Sequence, residues 1–219
     1  MIRVVSGEPD RSAERTRRIG RALNDTVVRA PWLWPLLRAP MRRFFAANAP
    51  GWDERTGAGS VAHLAPLATA ATHVSPAPER VLDIGTGTGE AALFLAREFP
   101  RASVRGIDMA KEMVRLAQGK VGLDPTGRVA FRVADASDLP YEDASFDLVA
   151  QLNMPPFFSE IARVLRPGGS VIVASSWGPQ TPFYTPDAVL ERRFRRRTIS
   201  PVEAGSAGEG TFWVGRRAE

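Results

Sequence analysis

The stretch RVLDIGTGTGE, residues 80–90, gives the strongest indication of the fold. Its apolar run at residues 81–84 predicts a buried strand, and the segment EAALFLAREF at residues 90–99 predicts a helix. Three alternating glycines stand between them: Gly85, Gly87 and Gly89. Because glycine has no Cβ, a strand, a glycine turn and a helix in this order let the backbone approach a ligand closely. The sequence therefore predicts a ligand-binding turn at residues 85–89.

Downstream of the turn, strand patterns alternate with helix patterns. Further strands are expected at residues 103–109, 128–136, 146–153 and 170–177. Helices are expected at residues 110–118, at 157–165, where RPGG ends the helix, and at 185–196, with Thr185 as N-cap and Pro186 at the first position. Two strand-like runs, 197–204 and 211–217, flank a turn rich in glycine and serine and predict a hairpin.

This alternation predicts an α/β fold: a Rossmann-like, doubly wound, mostly parallel seven-stranded sheet with a terminal antiparallel hairpin. In such open sheets the ligand lies at the carboxyl ends of the strands, beside the first strand. We expect two segments, a small helical N-terminal cap at residues 1–75 and the sheet domain at residues 76–219. Residues 1–20 are polar and basic and are expected to be frayed at the end. Five prolines between residues 31 and 66 exclude a single long helix in the cap.

Composition excludes several classes of protein. The 219 residues are 44% hydrophobic, contain no cysteine and contain two histidines, His63 and His73, so we expect neither disulfides nor a metal site. No apolar run approaches the length of a membrane span, and no signal peptide is evident, which predicts a cytoplasmic protein. The net charge of +5 comes mostly from arginines spread along the chain. We interpret them as ordinary surface cations rather than a nucleic-acid patch.

The glycine spacing discriminates between cofactors. A dinucleotide fingerprint, G-x-G-x-x-G, would place its third glycine at Glu90. The sequences VLDIGTGTGE (81–90), SFDLVAQLN (145–153) and EIARVLRPGGSVIVAS (160–175) instead resemble successive motifs of class I S-adenosylmethionine-dependent methyltransferases. The resemblance covers residues 79–217 and is greatest to the type 11 branch that includes the ubiquinone/menaquinone C-methyltransferases. It implies S-adenosyl-L-methionine as the cofactor.

The resemblance also implies which residues hold this cofactor. Asp108, at the end of the second strand, would accept hydrogen bonds from the ribose hydroxyls, and Asp135 would accept from the adenine amine. Either carboxylate could instead cap a helix or turn, but their positions at consecutive strand ends favour cofactor contact. Thr86 either caps the next helix or lies near the methionine carboxylate. The full cofactor set is Asp83, Gly85, Thr86, Gly87, Gly89, Asp108, Met109, Asp135, Ala136, Gln151 and Leu152.

The acceptor side departs from the family pattern. The loop after strand four lacks the usual histidines, so we identify no catalytic base, and His63 is interpreted as a packed or solvated side chain. NMPPF, residues 153–157, resembles the Asn-Pro-Pro-aromatic signature of amino-group methylases. We favour the alternative that Asn153 ends a strand and that Pro155 and Pro156 begin a helix. Asn153 and Met154 are nevertheless expected on the acceptor side.

The N-terminal cap is expected to complete the acceptor pocket. FFAANAPGWDERTG, residues 44–57, resembles the stretch that precedes the sheet in this family, which places Trp52 over the methionine end and Phe45 beside the acceptor. Packing against the sheet is favoured for Trp32 and Trp34. WLWPLLRAPMRRFF, residues 32–45, could also be an interfacial membrane helix, although its internal prolines count against that interpretation.

The sequence thus predicts a methyltransferase that acts on a small, partly apolar molecule by in-line displacement. Alternatives are a nucleic-acid or amino-group methyltransferase, or a catalytically silent protein that keeps the cofactor fold. A nicotinamide oxidoreductase is disfavoured by the glycine spacing and because neither Tyr141 nor Tyr184 is part of a Tyr-Lys pair. We expect no metal, no membrane span and no nucleic-acid partner. The oligomeric state is left open.

Overall fold

A computed structural model describes residues 11–122 and 126–219 of the chain. The cap consists of four helices: α1 (Arg11–Arg29), α2 (Trp34–Asn48), α3 (Trp52–Thr56) and α4 (Val61–Ala71). A short 3-10 turn, Pro31–Leu33, connects α1 to α2. No described helix combines the length and the apolar character that crossing a membrane requires.

The rest of the described chain forms one sheet with four helices. The strands are β1 (Arg80–Ile84), β2 (Ser103–Asp108), β3 (Val129–Val133), β4 (Phe146–Leu152), β5 (Leu165–Ser175), β6 (Ile199–Ala207) and β7 (Gly210–Arg217). The helices are α5 (Glu90–Glu98), α6 (Lys111–Val121), α7 (Phe158–Val164) and α8 (Asp187–Arg195). The strand order is β3-β2-β1-β4-β5-β7-β6, with β7 antiparallel to both of its neighbours. The predicted seven-stranded, mostly parallel sheet with a terminal hairpin is confirmed.

The position of β1 creates the crevice for a ligand. This strand pairs with β2 on one side and with β4 on the other, so its last residue, Ile84, lies level with Ile107 and Gln151. After β1 the chain continues to β2 on one side of the sheet, and after β4 it continues to β5 on the other side, so the two connections separate above the carboxyl ends of β1 and β4. That divergence is the topological switch point at which open α/β sheets bind their ligands.

Hydrophobic residues on both faces of the sheet explain why the strand sequences are almost continuously apolar. Val81 packs with α4, α5 and α6 on one face, whereas Leu82 and Ile84 pack on the other face. The second face also buries Val27 and Trp34 of the cap. The cap is therefore packed into the hydrophobic core of the sheet.

The structure bears on two predictions for the cap region. Residues 1–20 were expected to be frayed at the end; residues 11–20 belong to α1, while residues 1–10 lie outside the described part of the chain. The prolines do divide the cap into short helices, but Pro40 lies inside α2 and Pro66 inside α4. Pro40 is exposed, so water can satisfy the carbonyl that loses its helical partner.

Three local predictions in the sheet domain are also wrong. Thr185 does not cap α8; its hydroxyl instead pairs with the side chain of Asn24 in α1. The helix before RPGG ends at Val164, within one residue of its predicted end, but RPGG at residues 166–169 does not form the predicted turn: it lies within β5, where it accommodates a shift in the register with β4. Pro155 and Pro156 do not begin a helix, because α7 begins only at Phe158.

Candidate active site

The turn after β1 presents bare backbone at the carboxyl edge of the sheet. Gly85 and Gly87 have φ angles of 72° and 52°, a region that residues with a Cβ rarely adopt. A Cβ added to Gly87 would meet no atom within 4 Å, whereas one added to Gly85 would collide with Sδ of Met154. Gly85 thus lets Met154 lie against the turn, and Gly87 leaves open space above it.

Asp108 holds the turn in place from the end of β2. Its Oδ2 accepts a hydrogen bond from the Gly87 backbone N–H at 3.0 Å, and its Oδ1 accepts one from the Ala110 N–H at 2.8 Å. Burial raises the pKa of this carboxyl above its ordinary value. Each oxygen keeps a further lone pair, so the group can still accept from a ligand.

Asp83 and Thr86 lie beneath the turn. The Thr86 hydroxyl donates to Asp83 Oδ2 at 2.6 Å, and the Thr86 N–H donates to the carbonyl of Ile107 at 2.8 Å. Burial raises the pKa of Asp83 to about 7, an effect that the nearby Asp108 charge reinforces and the Thr86 hydrogen bond opposes. Helix α5 has Gly89 as its N-cap without a side-chain cap, so Thr86 does not cap it.

Asp135 is directed toward the cap. The indole N–H of Trp34 donates to its Oδ1 at 2.8 Å and to its Oδ2 at 3.1 Å. Ser137 donates to Oδ1 from both its backbone and its hydroxyl, and the Arg38 guanidinium lies 3.7 Å from Oδ2. The Asp135 carboxylate therefore joins the sheet domain to α2.

Gln151, at the end of β4, has one satisfied and one unsatisfied amide atom. Its Nε2 donates to the Met154 carbonyl at 2.7 Å. Its Oε1 is buried and has no hydrogen-bond partner among the described residues. A buried acceptor left unpaired costs about 1–3 kcal/mol, so this oxygen is suited to a donor from outside the chain.

Aromatic side chains from the cap cover the edge of the sheet. The ring centroid of Phe45 lies 5.8 Å from that of Trp52 and 6.2 Å from that of Phe183, which follows β5. Trp34 is buried and meets Phe157 at 5.0 Å, in an edge-to-face arrangement. Trp32, in contrast, is 73% exposed and contributes nothing to this layer.

Charged side chains fasten α3 to the sheet domain. Lys120 of α6 places its Nζ 2.6 Å from Asp53 Oδ2 and 2.7 Å from Glu90 Oε1. The Thr88 hydroxyl, in the glycine turn, also donates to Asp53. We call these four residues the Asp53 cluster. It fixes the short helix that carries Trp52 directly beside the turn.

A polar corner is formed by His63, Asn153 and Ser176. Asn153 has a φ angle of 57°, uncommon for a residue other than glycine, and its Oδ1 accepts from the Ser176 N–H at 2.8 Å. This contact orients the Asn153 amide nitrogen toward His63 Nε2, at 3.4 Å, and toward the Ser176 hydroxyl, at 2.9 Å. The Ser176 hydroxyl in turn donates to the His63 carbonyl at 2.8 Å.

The polar corner determines the state of the imidazole. Because the Asn153 amide is a donor, His63 Nε2 must accept, and the ring proton therefore lies on Nδ1. Burial lowers the pKa of His63 below its ordinary value, an effect that the Thr56 backbone and the charges of Asp53 and Glu90 oppose. Burial thus favours the neutral ring, in which Nε2 holds a lone pair.

These elements enclose one cavity of about 290 Å³. Its sheet wall consists of Gly85, Gly87, Asp108 and Met109; its cap wall consists of Phe45, Trp52 and His63, with Trp34 and Met41 behind them. Of the residues predicted from the sequence, the cavity brings together Gly85, Gly87, Asp108, Met109, Ala136, Leu152, Phe45, Trp52, Asn153 and Met154. The other predicted residues, which do not line it, are Asp83, Thr86, Gly89, Asp135 and Gln151.

Sequence reasoning missed several residues of the cavity lining. His63 and Trp34 were interpreted as packing residues, and Glu90, Trp177 and Phe183 were not considered. One available signal pointed to His63. Since the loop after β4 has no histidine, a polar acceptor-side group had to come from elsewhere, and the chain has only one other histidine, His73.

Comparison with known proteins bears on family and fold. A methyltransferase-domain profile matches residues 81–169. The demethylmenaquinone methyltransferase of Deinococcus radiodurans is 32% identical over 183 residues, which cover 78% of this chain and 75% of the relative. The O-methyltransferase cnsE of Penicillium expansum is 42% identical over 110 residues, covering 46% of this chain and 40% of the relative. The chain thus spans less than half the length of that fungal relative.

Among solved structures, an S-adenosylmethionine-dependent methyltransferase from Aquifex aeolicus matches with a TM-score of 0.59. The match covers 71% of this chain and 90% of that chain, at 20% sequence identity. At this identity the likeness bears on the fold alone.

Proposed function

The chain belongs to the class I S-adenosylmethionine-dependent methyltransferases, and from that premise we propose that it methylates a small, partly apolar molecule in the cavity between the sheet wall and the cap wall. One observation carries the proposal. A single cavity has the glycine turn and Asp108 on one side, and aromatic rings and His63 on the other. The first side offers partners for the cofactor's polar groups, and the second side offers an apolar surface for the acceptor.

The residues present fit the cofactor. Asp108 keeps lone pairs for the ribose hydroxyls, and Met109 and Ala136 offer apolar surface for adenine. Gly87 leaves backbone exposed for the methionine end. Gln151 does not line the cavity, but its unpaired Oε1 is an acceptor that would suit an ammonium group. We propose these as the contacts, with Asp83 and Thr86 supporting the turn from beneath.

Asp135 is proposed to serve the cofactor and the cap together. Its Oδ1 already accepts from Trp34 and Ser137, whereas the Trp34 contact to Oδ2 is the longer one, at 3.1 Å. Because Asp135 does not line the cavity, an adenine amine would bind at Oδ2 by replacing the Trp34 contact there. The closure of α2 over the cavity and the binding of adenine would share this carboxylate.

When bound, the cofactor supplies a methyl group on a positively charged sulfur. The work of the chain is to place the acceptor in line with that group and to exclude water. Phe45 and Trp52 exclude water because their rings are packed edge to face over the cavity. Met154, lying against Gly85, fills the space between the turn and the acceptor side.

We propose His63 as the group that takes the acceptor's proton. Its Nε2 lone pair is held only by the Asn153 amide at 3.4 Å, a long hydrogen bond that an acceptor hydroxyl can replace. The acceptor's O–H bond would break and the proton would move to Nε2. Phenol- and quinol-type acceptors have such a proton and an apolar body. The names of two relatives, a demethylmenaquinone methyltransferase and an O-methyltransferase, support this class.

Titration calorimetry of the full chain tests the cofactor half of the proposal. We expect binding of S-adenosylmethionine and S-adenosylhomocysteine and no binding of NAD, and a preference for NAD would overturn the proposal. A turnover screen over phenols, naphthoquinols kept reduced, and primary amines then tests the acceptor half. Methylation of amines alone would contradict the hydroxyl acceptor, and cofactor binding without turnover on any acceptor would favour the catalytically silent alternative.

A further inference from the structure

The outer surface of the cap exposes large apolar side chains to water. In the described part of the chain, nine large apolar side chains are exposed, and five of them lie between residues 19 and 44. Trp32 and Leu36 are the most exposed of these five, at 73% and 74%. Exposed apolar residues that cluster in this way mark a binding surface, whereas isolated ones need no explanation.

The same surface is positively charged. Residues 26–52 contain four arginines and neither aspartate nor glutamate, although the whole chain has 24 acidic residues. All four arginines are exposed, and of these four only Arg38 lies within 4 Å of a carboxylate of the described residues. We call this surface the outer cap face: Arg29, Trp32, Leu33, Leu36, Arg38, Arg42, Arg43 and Phe44.

Apolar side chains interspersed with cations match the chemistry of an anionic bilayer surface. Tryptophan and leucine side chains can enter the boundary between headgroups and acyl chains, while arginines pair with the phosphates. The internal prolines do not interrupt the helix, because α2 runs continuously through Pro35 and Pro40, and they therefore do not exclude an interfacial helix. A nucleic acid would suit the cations but would leave Trp32 and Leu36 unexplained.

The inner side of the same segment forms part of the cavity. Trp34, Met41 and Phe45 line the cavity. They lie on α2 next to residues of the outer cap face, so the same helix contributes to both surfaces. We infer that the outer cap face docks on an anionic membrane surface, and that the cavity receives an apolar acceptor from the bilayer. The second clause rests on the proposed function, and the first does not.

Vesicle flotation with the full chain tests the docking. We expect binding to phosphatidylcholine vesicles containing 30 mol% phosphatidylglycerol, on the order of that needed for a negative surface potential, and little binding to phosphatidylcholine alone. Added salt should weaken binding, because it screens the arginines. Arg42→Gln/Arg43→Gln should lower the affinity roughly 30-fold, at about fivefold per arginine. Trp32→Ser/Leu36→Ser should lower it at least about tenfold.

Matched controls lie elsewhere on the surface. Arg192→Gln/Arg196→Gln makes the same change in charge on exposed residues of α8 and its C-cap, and Val61→Ser/Val202→Ser removes exposed apolar groups away from α2. Both should bind vesicles as the unaltered chain does. Equal binding by all four variants, or loss only in the α8 variant, would overturn the assignment of this face.

Two further measurements distinguish a membrane from other partners of the outer cap face. A concentration-dependent dimer in light scattering that Trp32→Ser/Leu36→Ser abolishes would assign the face to a second copy and overturn the proposal. Tight tRNA binding that requires Arg42 and Arg43, without vesicle binding, would also overturn it.

Calorimetry with S-adenosylhomocysteine on the same preparations distinguishes failure of the docking proposal from failure of the proposed function. Vesicle binding without cofactor binding contradicts the proposed function alone, and the reverse contradicts the docking alone.

Discussion

The sheet wall of the cavity is positioned by backbone hydrogen bonds, whereas the cap wall is positioned by side chains. On the sheet wall, Asp108 accepts from two backbone N–H groups, and parallel strands hold it level with the glycine turn. On the cap wall, three short elements meet the sheet domain through Trp34 on Asp135, through Asp53 on Lys120, and through the His63 corner. Side-chain contacts are the easier set to break and remake, since no ladder of backbone hydrogen bonds opposes their opening.

This difference fits a division of labour between a fixed cofactor site and an adjustable acceptor site. A volume of about 290 Å³ lies just below the range of about 300–1,000 Å³ for small-molecule sites. The residues of the sheet wall belong to strand ends and their turns, whereas the cap wall is carried by separate helices. Each of the following predictions perturbs one wall and measures the consequence for both.

The largest expected effect comes from the cap wall. His63→Ala should lower kcat for the best acceptor by about 10²–10⁴-fold, the usual contribution of a positioned proton acceptor. Affinity for S-adenosylhomocysteine should stay within about twofold, since His63 lies on the opposite wall. His73→Ala is the matched control, because His73 stacks on Phe212 and does not line the cavity.

The pH profile distinguishes a proton acceptor from a merely structural histidine. Burial lowers the pKa of the His63 ring below its ordinary value. The rate of the unaltered chain should therefore fall as the pH drops through this lowered pKa, and the residual rate of His63→Ala should lack this limb. A variant with full kcat, or with the same acidic limb, would remove His63 from the proposed chemistry.

The second prediction concerns the support beneath the sheet wall. Because burial raises the pKa of Asp83 from 3.8 to about 7, the folded chain holds a proton that the unfolded chain has lost between these values. The free energy of unfolding should therefore decrease as the pH rises through this window, by an amount on the order of a few kcal/mol. Asp83→Asn keeps an acceptor for Thr86 and should flatten this dependence, raising stability above pH 7.

Denaturant titrations at pH 5 and pH 8 measure the effect of Asp83→Asn. Asp138→Asn, in the loop after β3, provides a control of the same chemistry outside the turn. If the two variants have the same pH dependence as the unaltered chain, Asp83 does not carry the buried proton. Acceptor KM should change little in either variant, because neither side chain lines the cavity.

Asp108→Ala tests the sheet wall itself. The loss of charge-assisted hydrogen bonds to the ribose should weaken cofactor binding by about 1.5–3 kcal/mol, roughly 10- to 150-fold. The contacts to Gly87 and Ala110 show that this carboxylate also anchors the turn, so we expect some loss of stability as well. Asp108→Asn retains one acceptor oxygen and should lose less of both. Unaltered affinity in a folded Asp108→Ala protein would exclude Asp108 from the cofactor site.

The two walls also differ in how well the sequence predicts them. The sheet wall comes from three strand ends in which motif and position coincide, so Gly87, Asp108 and Met109 could be placed on the cavity from their spacing and the family resemblance. The carboxyl ends of neighbouring parallel strands must meet at one edge, whatever the rest of the chain does. Local pattern is sufficient there.

The cap wall depends on contacts between distant residues, which local patterns do not record. Trp34 meets Asp135 across 101 positions, and this bond draws the predicted adenine acceptor away from the cavity lining. In the same way, Asn24 engages the Thr185 hydroxyl and prevents the predicted helix cap. In the sequence, the neighbours of His63 are mostly apolar, and none of them indicates a polar partner for its ring. Its contact with Asn153 exists because α4 packs beside the end of β5.

The smallest effect is expected where the walls meet, at Lys120. Lys120→Met leaves Asp53 and Glu90 facing each other without their shared cation, so their repulsion should push α3 and Trp52 outward. All three side chains are partly exposed, which limits the loss of stability to about 1 kcal/mol. Acceptor KM should rise several-fold, on the order of that same energy, while cofactor affinity stays unchanged. Lys120→Arg should restore KM, and Lys111→Met, which removes an exposed lysine from the same helix, should have no effect. Equal losses of acceptor and cofactor binding in Lys120→Met would show that the two walls move as one body, and the division of labour between them would fail.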